Sequence, residues 1–186
     1  MELHIKNMVS NRCKMIVKAE LEKLEINYTA INLGSAEITE DITPERKNLL
    51  NFNLKKFGLS LIEDKKGMLV EKIKNIIIEL VHYSENQLKI NFSDYLSERL
   101  NYDYTYLANL FSELQGITIE HYFLSHKIER VKELLIYDEL NITEIAYRLH
   151  YSSVAHLSNQ FKKITGLTPS HYKHLKSKKR IPLEKV

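Results

Sequence analysis

One cysteine and eight histidines are the residues most able to perform covalent or metal chemistry. Cys13 lies between Arg12 and Lys14 near the start of a predicted helix, a setting typical of reactive thiols. The histidines are scattered, and the sequence contains neither a His-Glu-X-X-His metal site nor a glycine-rich phosphate loop. No nucleophile, base and orienting group occur together, so we expect the protein not to be an enzyme.

Basic residues near the C-terminus suggest a second chemistry, the neutralisation of phosphate. The net charge of +3 is too small to indicate nucleic-acid binding by itself. From Lys162 onward, however, basic residues are opposed only by Glu184; they are Lys163, Lys173, Lys176, Lys178, Lys179, Arg180 and Lys185. Such a cluster could equally be a solvated tail. It points to DNA only if it lies beside an element that enters a groove.

The second half of the chain contains an internal repeat. Residues 99–102 match residues 148–151, and residues 107–111 match residues 157–161. Further matches follow at 116–118 with 166–168 and at 121–122 with 171–172. The offset grows by one residue between the first and second blocks, which places an insertion at Ser152-Ser153. Two copies are too few for a solenoid, so we predict a duplicated module.

Each copy is predicted to fold as helix, tight turn, helix. In the second copy, about residues 141–166, Asn141 and Glu144 have the spacing of a capping box. Either Ser152 or Ser153 should cap the next helix, and Gly166 should end it in a left-handed conformation.

The first copy, about residues 92–116, repeats this design with Asp103 as the cap and Gly116 as the terminator. Asn101 and His150 stand in the two turns where glycine is usual in such units. Both residue types are enriched at positive φ among non-glycine residues. The pattern therefore predicts two helix-turn-helix units.

A long amphipathic helix is predicted between the copies, at about residues 120–137. Its roughly 18 residues, at ~1.5 Å each, span ~27 Å. That length could hold two recognition helices near the ~34 Å separation of successive major-groove faces. Its apolar side comprises Ile128, Val131, Leu134 and Leu135, and its charged side Lys127, Glu129, Arg130, Lys132 and Glu133.

The second copy resembles the AraC/XylS family of transcriptional regulators. The resemblance rests on Ile142-Thr-Glu-Ile-Ala, Tyr151 and the block Phe161-Lys-Lys…Gly166-Leu-Thr-Pro169-Ser, and it extends over about Leu69 to Leu175. It implies seven helices, arranged as two helix-turn-helix subdomains joined by the long helix. It also implies binding to bent, double-stranded promoter DNA and contact with RNA polymerase or its displacement.

The resemblance places base-reading residues on the outward faces of two helices. Asn109 and Asn159 fall at equivalent places, and an asparagine pairs bidentately with adenine in the major groove. Lys162 and Lys163 could neutralise phosphates, while Ala108, Val154 and Ala155 could contact thymine methyls. The full sets are Tyr104, Thr105, Ala108, Asn109 and Ser112 on the first helix, and Val154, Ala155, His156, Ser158, Asn159, Lys162 and Lys163 on the second. The alternative is that these residues are simply the solvent faces of amphipathic helices.

Residues 1–66 are predicted to form a separate α+β domain, with residues 67–186 as the all-α DNA-binding domain. Strands are expected at Leu3–Lys6, Thr29–Leu33, Ala36–Thr39 and Leu59–Ile62. Helices are expected at Cys13–Leu24 and from Thr43-Pro44 to Gly58. The order β-α-β-β-α-β is that of a ferredoxin-like sandwich.

The loop from Met8 to Cys13 resembles the Met-X-Cys-X-X-Cys loop of heavy-metal-associated domains, which share this fold and hold soft ions such as Cu(I) with two thiolates. Ser10 replaces the first cysteine, so only Cys13 matches a ligand, and Met8 is more often a packing residue. We therefore expect no cofactor and interpret the domain as one kept for sensing or dimerisation. A metal- or thiol-responsive interaction protein, in which DNA binding is secondary, remains the alternative.

Three features of the sequence bear on the cellular location of the protein. One cysteine excludes an internal disulfide, no apolar run approaches the ~20 residues of a membrane span, and the first residues do not form a signal peptide. These features predict a cytoplasmic, nucleoid-associated protein without a membrane partner. The oligomeric state stays open, with a homodimer as one alternative.

Overall fold

The structure is a computed structural model that describes residues 1–84, 88, 90–137, 139–175 and 180–186. Lys176, Lys178 and Lys179 of the basic cluster lie outside the described residues, as does the side chain of Glu184. The chain forms two compact units, Met1–Ile76 (unit 1) and Ile77–Val186 (unit 2). Among the described residues, no helix is both long and apolar enough to cross a membrane.

Unit 1 has the predicted element order. It comprises β1 (Glu2–Lys6), α1 (Asn11–Lys23), β2 (Tyr28–Asn32), β3 (Ser35–Ile38), α2 (Pro44–Lys55), β4 (Ser60–Ile62) and most of α3 (Lys65–Ile78). The strands pair antiparallel in the order β2-β3-β1-β4. Leu3 pairs with Ala36, and Ile5 with Leu61. The core of unit 1 includes Leu3, Ile5, Val17, Leu21, Ile38, Leu50 and Leu54.

Two boundaries in unit 1 differ from the prediction. Helix α2 ends at Lys55 rather than at Gly58, because residues 56–58 form a separate turn in which the Gly58 N–H donates to the Lys55 carbonyl at 3.1 Å. Unit 1 also extends ten residues beyond the predicted boundary at residue 66. The first half of α3 is held there by the Asn7 N–H, which donates to Glu71 Oε2 at 3.2 Å.

Unit 2 is helical. A π-helical turn (Glu79–Tyr83) follows α3, and then come α4 (Phe92–Leu100), α5 (Tyr104–Gln115), α6 (Ile119–Tyr137), α7 (Ile142–Arg148), α8 (Val154–Thr165), α9 (Pro169–His174) and a short 3₁₀ turn (Leu183–Lys185). Helix α6 is the long helix predicted at residues 120–137. Its apolar side packs with α7, α8 and α9 in a core that includes Ile128, Val131, Leu135, Ile145, Leu157, Phe161 and Tyr172.

The charged side of α6 is less exposed than its sequence predicts. Glu129 and Lys132 are only 3% and 8% exposed, so the prediction that both cover the solvent side is wrong. The Lys132 ammonium donates to Glu129 Oε1, and the Ile181 N–H donates to Glu129 Oε2 at 3.0 Å. The C-terminal segment therefore covers this part of α6, a contact between residues 52 positions apart.

Candidate nucleic-acid interface

The first helical pair consists of α4, the turn at Asn101, and α5. Asn101 has a φ of 57°, as its turn position predicts. The Asp103 carboxylate accepts hydrogen bonds from the N–H groups of Thr105 (2.8 Å) and Tyr106 (3.3 Å), which satisfies the first turn of α5. Leu107 and Phe111 are fully buried, so the opposite face of α5 is left outward.

The second helical pair consists of α7, the turn at His150, and α8. The predicted capping box is present: Asn141 Oδ1 accepts from the Glu144 N–H at 2.9 Å, and Glu144 Oε2 accepts from the Asn141 N–H at 2.7 Å. His150 has a φ of 56°. Of the two candidate caps for α8, Ser153 is used, since its hydroxyl accepts from the His156 N–H at 3.0 Å. Ser152 is therefore the inserted residue of the repeat.

The second helices of the two pairs, α5 and α8, end in the same way and pack through equivalent aromatic contacts. Gly116 and Gly166 terminate α5 and α8 with φ of 73° and 77°, in the left-handed region that glycine adopts without a Cβ clash. The ring of Phe111 lies 5.5 Å from that of Tyr122, and the ring of Phe161 lies 5.5 Å from that of Tyr172. The repeat in the sequence thus corresponds to a repeat of side-chain contacts.

The outward face of α5 carries four of its five predicted residues with side chains that form no ion pair or hydrogen bond among the described residues. Thr105 and Asn109 are exposed, and Ala108 and Ser112 are half-buried. Tyr104 differs, because its hydroxyl donates to Glu120 Oε1 of α6. Burial and this hydrogen bond raise the pKa of Tyr104, and the bond lowers the pKa of Glu120. Tyr104 thus joins α5 to α6. The Glu120 carboxylate beside it would repel phosphate.

The outward face of α8 carries six of its seven predicted residues, whereas Val154 packs partly against the hydrophobic core of unit 2. The exposed members are Ala155, His156, Asn159, Lys162 and Lys163, and the half-buried ones are Val154 and Ser158. The Asn159 amide, like that of Asn109, has no hydrogen-bond partner in the described part of the chain. His156 is oriented by Ser152, the inserted residue of the repeat, because Ser152 Oγ lies 2.9 Å from His156 Nδ1. Both amides are therefore free to pair with an external donor and acceptor.

Lys162 and Lys163 occupy the last turn of α8. Within the residues that the structure describes, neither lysine forms an ion pair. Cations at a helix C-terminus also interact favourably with the helix dipole, so their position has a structural benefit apart from any ligand. Their charge nevertheless adjoins the outward face that holds Asn159, as a phosphate contact requires.

An exposed aromatic pair beside α5 was not foreseen from the sequence. Tyr102 and Tyr106 stack with ring centroids 5.5 Å apart and are 49% and 45% exposed. Their i, i+4 spacing is the signal that could have revealed them. Tyr147 of α7, 86% exposed, is a further aromatic side chain on this half of the molecule.

The candidate metal loop lies in unit 1. Met8 is fully buried in the core and is a packing residue. Cys13 is half-buried in the first turn of α1, with its Sγ 3.4 Å from Ser10 Oγ and 3.9 Å from the Asn7 carbonyl oxygen. Across the described residues, no group of three His, Cys, Asp or Glu side chains is placed to hold a metal ion. One thiol and a hydroxyl do not form the two-thiolate site that a soft ion prefers.

Comparison with known proteins identifies the family to which part of the helical unit is similar. Residues 96–174 match the family model described as a helix-turn-helix domain. The HTH-type transcriptional regulator YtdP of Bacillus subtilis is 29% identical over 107 residues, which are 57% of this chain and 14% of that protein. This chain therefore matches only about a seventh of the length of that relative.

Two solved domains are also similar. The C-terminal domain of the response regulator AraT from Geobacillus stearothermophilus is 28% identical, with a TM-score of 0.52, over 64% of this chain and 92% of that one. The C-terminal domain of the two-component response regulator yesN from Fusobacterium nucleatum is 34% identical, with a TM-score of 0.48, over 56% and 96% of the two chains. On the match to the family model, residues 96–174 are an AraC-type helix-turn-helix domain, as the resemblance in the sequence predicts.

Proposed function

We propose that the protein is a transcriptional regulator that binds double-stranded promoter DNA in a sequence-specific manner through α5 and α8. The observation that carries this proposal is the equivalence of Asn109 and Asn159. Each lies exposed on the outward face of the second helix of a helical pair, and each amide lacks a partner among the described residues. An asparagine amide so placed matches the donor and acceptor edge of adenine in the major groove.

The DNA contact proposed for each residue follows from the chemistry of its side chain. Asn109 and Asn159 read adenine, while Ala108, Val154 and Ala155 contact thymine methyls. Lys162 and Lys163 bind phosphates and fix the position of α8 on the duplex. Bound near a promoter, the protein would contact RNA polymerase or displace it, as the family resemblance implies, and would reside with the nucleoid in the cytoplasm.

Unit 1 is proposed to be a ferredoxin-like module for sensing or dimerisation. Its support is the β-α-β-β-α-β order with an antiparallel sheet, together with an apolar surface on α2. Leu49 and Phe52 lie one helical turn apart there and are 48% and 61% exposed. Light scattering on the wild type and on Phe52→Lys tests the dimer, which the substitution should dissociate. A monomeric wild type would leave sensing as the role of unit 1.

Selection of bound sequences from a random duplex library tests the DNA-binding proposal. The wild-type chain should enrich a motif of two blocks whose centres are about 10–10.5 base pairs apart, one turn of the helix. Asn109→Ala and Asn159→Ala should each relax the preference in one block only. Parallel selections with and without copper or zinc show whether metal alters the result. Salt-sensitive background binding without an enriched motif would contradict sequence-specific regulation.

A further inference from the structure

A cavity of about 220 Å³ lies within unit 2, among elements from both helical pairs. Phe92 of α4 and Phe123 of α6 line it together with Leu80 of the π-helical turn and Leu149 just after α7. Arg148 and Lys127 add two cationic side chains to this apolar lining. None of the residues predicted to read bases takes part in it. The cavity is thus separate from the outward faces of α5 and α8.

Two stacked aromatic rings form part of the apolar wall of the cavity. Phe92 and Phe123 stack nearly parallel, with ring centroids 4.4 Å apart and an interplanar angle of 12°. At ~30 Å³ for each water-sized unit, the cavity holds roughly seven such units, and because bonded atoms lie closer together than water molecules, a ligand of about ten non-hydrogen atoms fits. A small molecule with a flat or short apolar body suits this wall, since ligand sites combine apolar lining with a few placed polar groups.

The cationic wall contains the ammonium group of Lys127, which has no counter-ion among the described residues. Lys127 Nζ lies 4.0 Å from the ring centroid of Tyr151 and 5.8 Å from that of Phe123. In the described part of the chain, no carboxylate forms an ion pair with Lys127. Burial lowers the pKa of Lys127 to about 8. A desolvated cation is costly unless an anion or acceptor compensates it, and an anion in the adjoining cavity would do so.

We propose that this cavity is an effector site for a small monocarboxylate with an apolar body. The carboxylate is held by Lys127, with Arg148 as the second cation, and the apolar body lies against Phe92 and Phe123. Because the lining comes from α4, α6 and the end of α7, a bound ligand contacts both helical pairs and the helix that joins them. It would thereby change the affinity for DNA, and DNA would change the affinity for the ligand by the same factor. This regulatory role rests on the proposed function, whereas binding of the carboxylate does not.

Calorimetry on the whole 186-residue chain tests the site with phenylacetate, a ligand of about ten non-hydrogen atoms, against its neutral analogue phenylacetamide. Phenylacetate should bind with one-to-one stoichiometry, and phenylacetamide at least about tenfold more weakly, since a charge-assisted contact is lost. Lys127→Met removes the charge and keeps the apolar stem, so it should weaken phenylacetate binding about tenfold or more. Lys127→Arg should retain binding, and the exposed Lys72→Met serves as the matched control. Thermal melting verifies that each variant is folded.

The outcomes separate the two proposals. Absence of phenylacetate binding, equal affinity for the acid and the amide, or unchanged binding by Lys127→Met overturns the carboxylate site. If phenylacetate binds through Lys127 while library selection yields no DNA motif, the site stands and the proposed function fails. If both ligands bind, the affinity for the selected duplex should change severalfold on addition of phenylacetate in the wild type and not in Lys127→Met. Unchanged DNA affinity in the wild type overturns the effector role.

Discussion

Asn101 and His150 end equivalent helices with their backbones in the same left-handed conformation, at φ of 57° and 56°. Each residue belongs to the turn of a helical pair, directly after α4 in one case and one residue beyond the Leu149 cap of α7 in the other. Two non-glycine residues therefore occupy positions that a glycine would fill without a Cβ clash. The two differ in cost, because asparagine visits this region routinely whereas histidine does so less readily.

This difference predicts a contrast between two glycine substitutions. We expect His150→Gly to raise the free energy of unfolding by about 1 kcal/mol, because it relieves the strain at positive φ. Asn101→Gly should change it by less than about half that amount, since the strain relieved is smaller and glycine adds entropy to the unfolded chain. Urea unfolding of both variants and the wild type measures the contrast. Equal changes in the free energy of unfolding for the two variants would mean that the backbone strain at His150 is no larger than that at Asn101.

The local features of unit 2 could be predicted from the sequence because they depend on near neighbours. The capping box of Asn141 and Glu144 joins residues three apart, and the glycine terminators act through their own φ. The repeat identified equivalent positions such as Phe111 and Phe161 without any knowledge of tertiary contacts. The inserted Ser152 could not be distinguished from Ser153 in this way, because both residues have capping side chains.

What the sequence could not predict depends on distant contacts. The burial of Glu129 follows from the Ile181 N–H, which approaches its carboxylate from the far end of the chain. The extension of unit 1 into α3 depends on the bond between Asn7 and Glu71. On the candidate interface, the hydrogen bond of Tyr104 with Glu120 joins two helices, and no spacing rule within one helix reveals it.

Phe161 should be a principal contributor to the stability of unit 2. Its side chain is fully buried among α6, α7 and α9 residues, with its ring 5.5 Å from that of Tyr172. We expect Phe161→Ala to lower the free energy of unfolding by ~3–5 kcal/mol through lost burial and a residual cavity. Phe161→Leu, which retains much of the volume, should cost less. Chemical denaturation distinguishes them, and a normal transition for the alanine variant would show that α8 does not pack through this residue.

His82 should make unit 2 sensitive to acid. Its Nε2 lies 3.2 Å from Nδ1 of the fully buried His126, and burial, followed by the charges of Arg130 and Arg180, lowers the pKa of His82 from 6.5 to about 4. Folding therefore favours neutral His82, so its contribution is intact above pH 6.5 and is lost progressively as the pH falls from 6.5 to 4. We expect a loss of about 2–3 kcal/mol between pH 7 and pH 4.5 from this group.

Urea unfolding at pH 7 and pH 4.5 measures that loss. His82→Gln stays neutral at both values, so the decrease in the free energy of unfolding should be smaller in the variant by about the amount assigned to His82. The exposed His174→Gln controls for the general effect of removing a histidine. A decrease identical in His82→Gln and the wild type would place the acid sensitivity elsewhere.

Asn159 should determine one base preference. We expect Asn159→Ala to weaken binding to the selected duplex by ~1–3 kcal/mol, and to have little effect on duplexes already altered at the adenine that it reads. The exposed Thr143 of α7 supplies a control variant, Thr143→Ala, outside both outward faces. Fluorescence anisotropy with a panel of single-base variants measures the pattern. A uniform loss across the panel would assign Asn159 to the DNA backbone instead.

Lys163 should act on every duplex alike. A lysine that neutralises one phosphate releases about one counter-ion, so Lys163→Ala should reduce the slope of log affinity against log salt by about one unit. The loss should be nearly equal for selected and random duplexes, in contrast to Asn159→Ala, because phosphate contacts carry no base information. Lys72→Ala, an exposed lysine of α3, should leave the slope unchanged. Since Lys163 also lies in the last turn of α8, its removal should cost a few tenths of a kcal/mol of stability. A stability change with an unaltered slope would therefore assign Lys163 to the helix dipole alone.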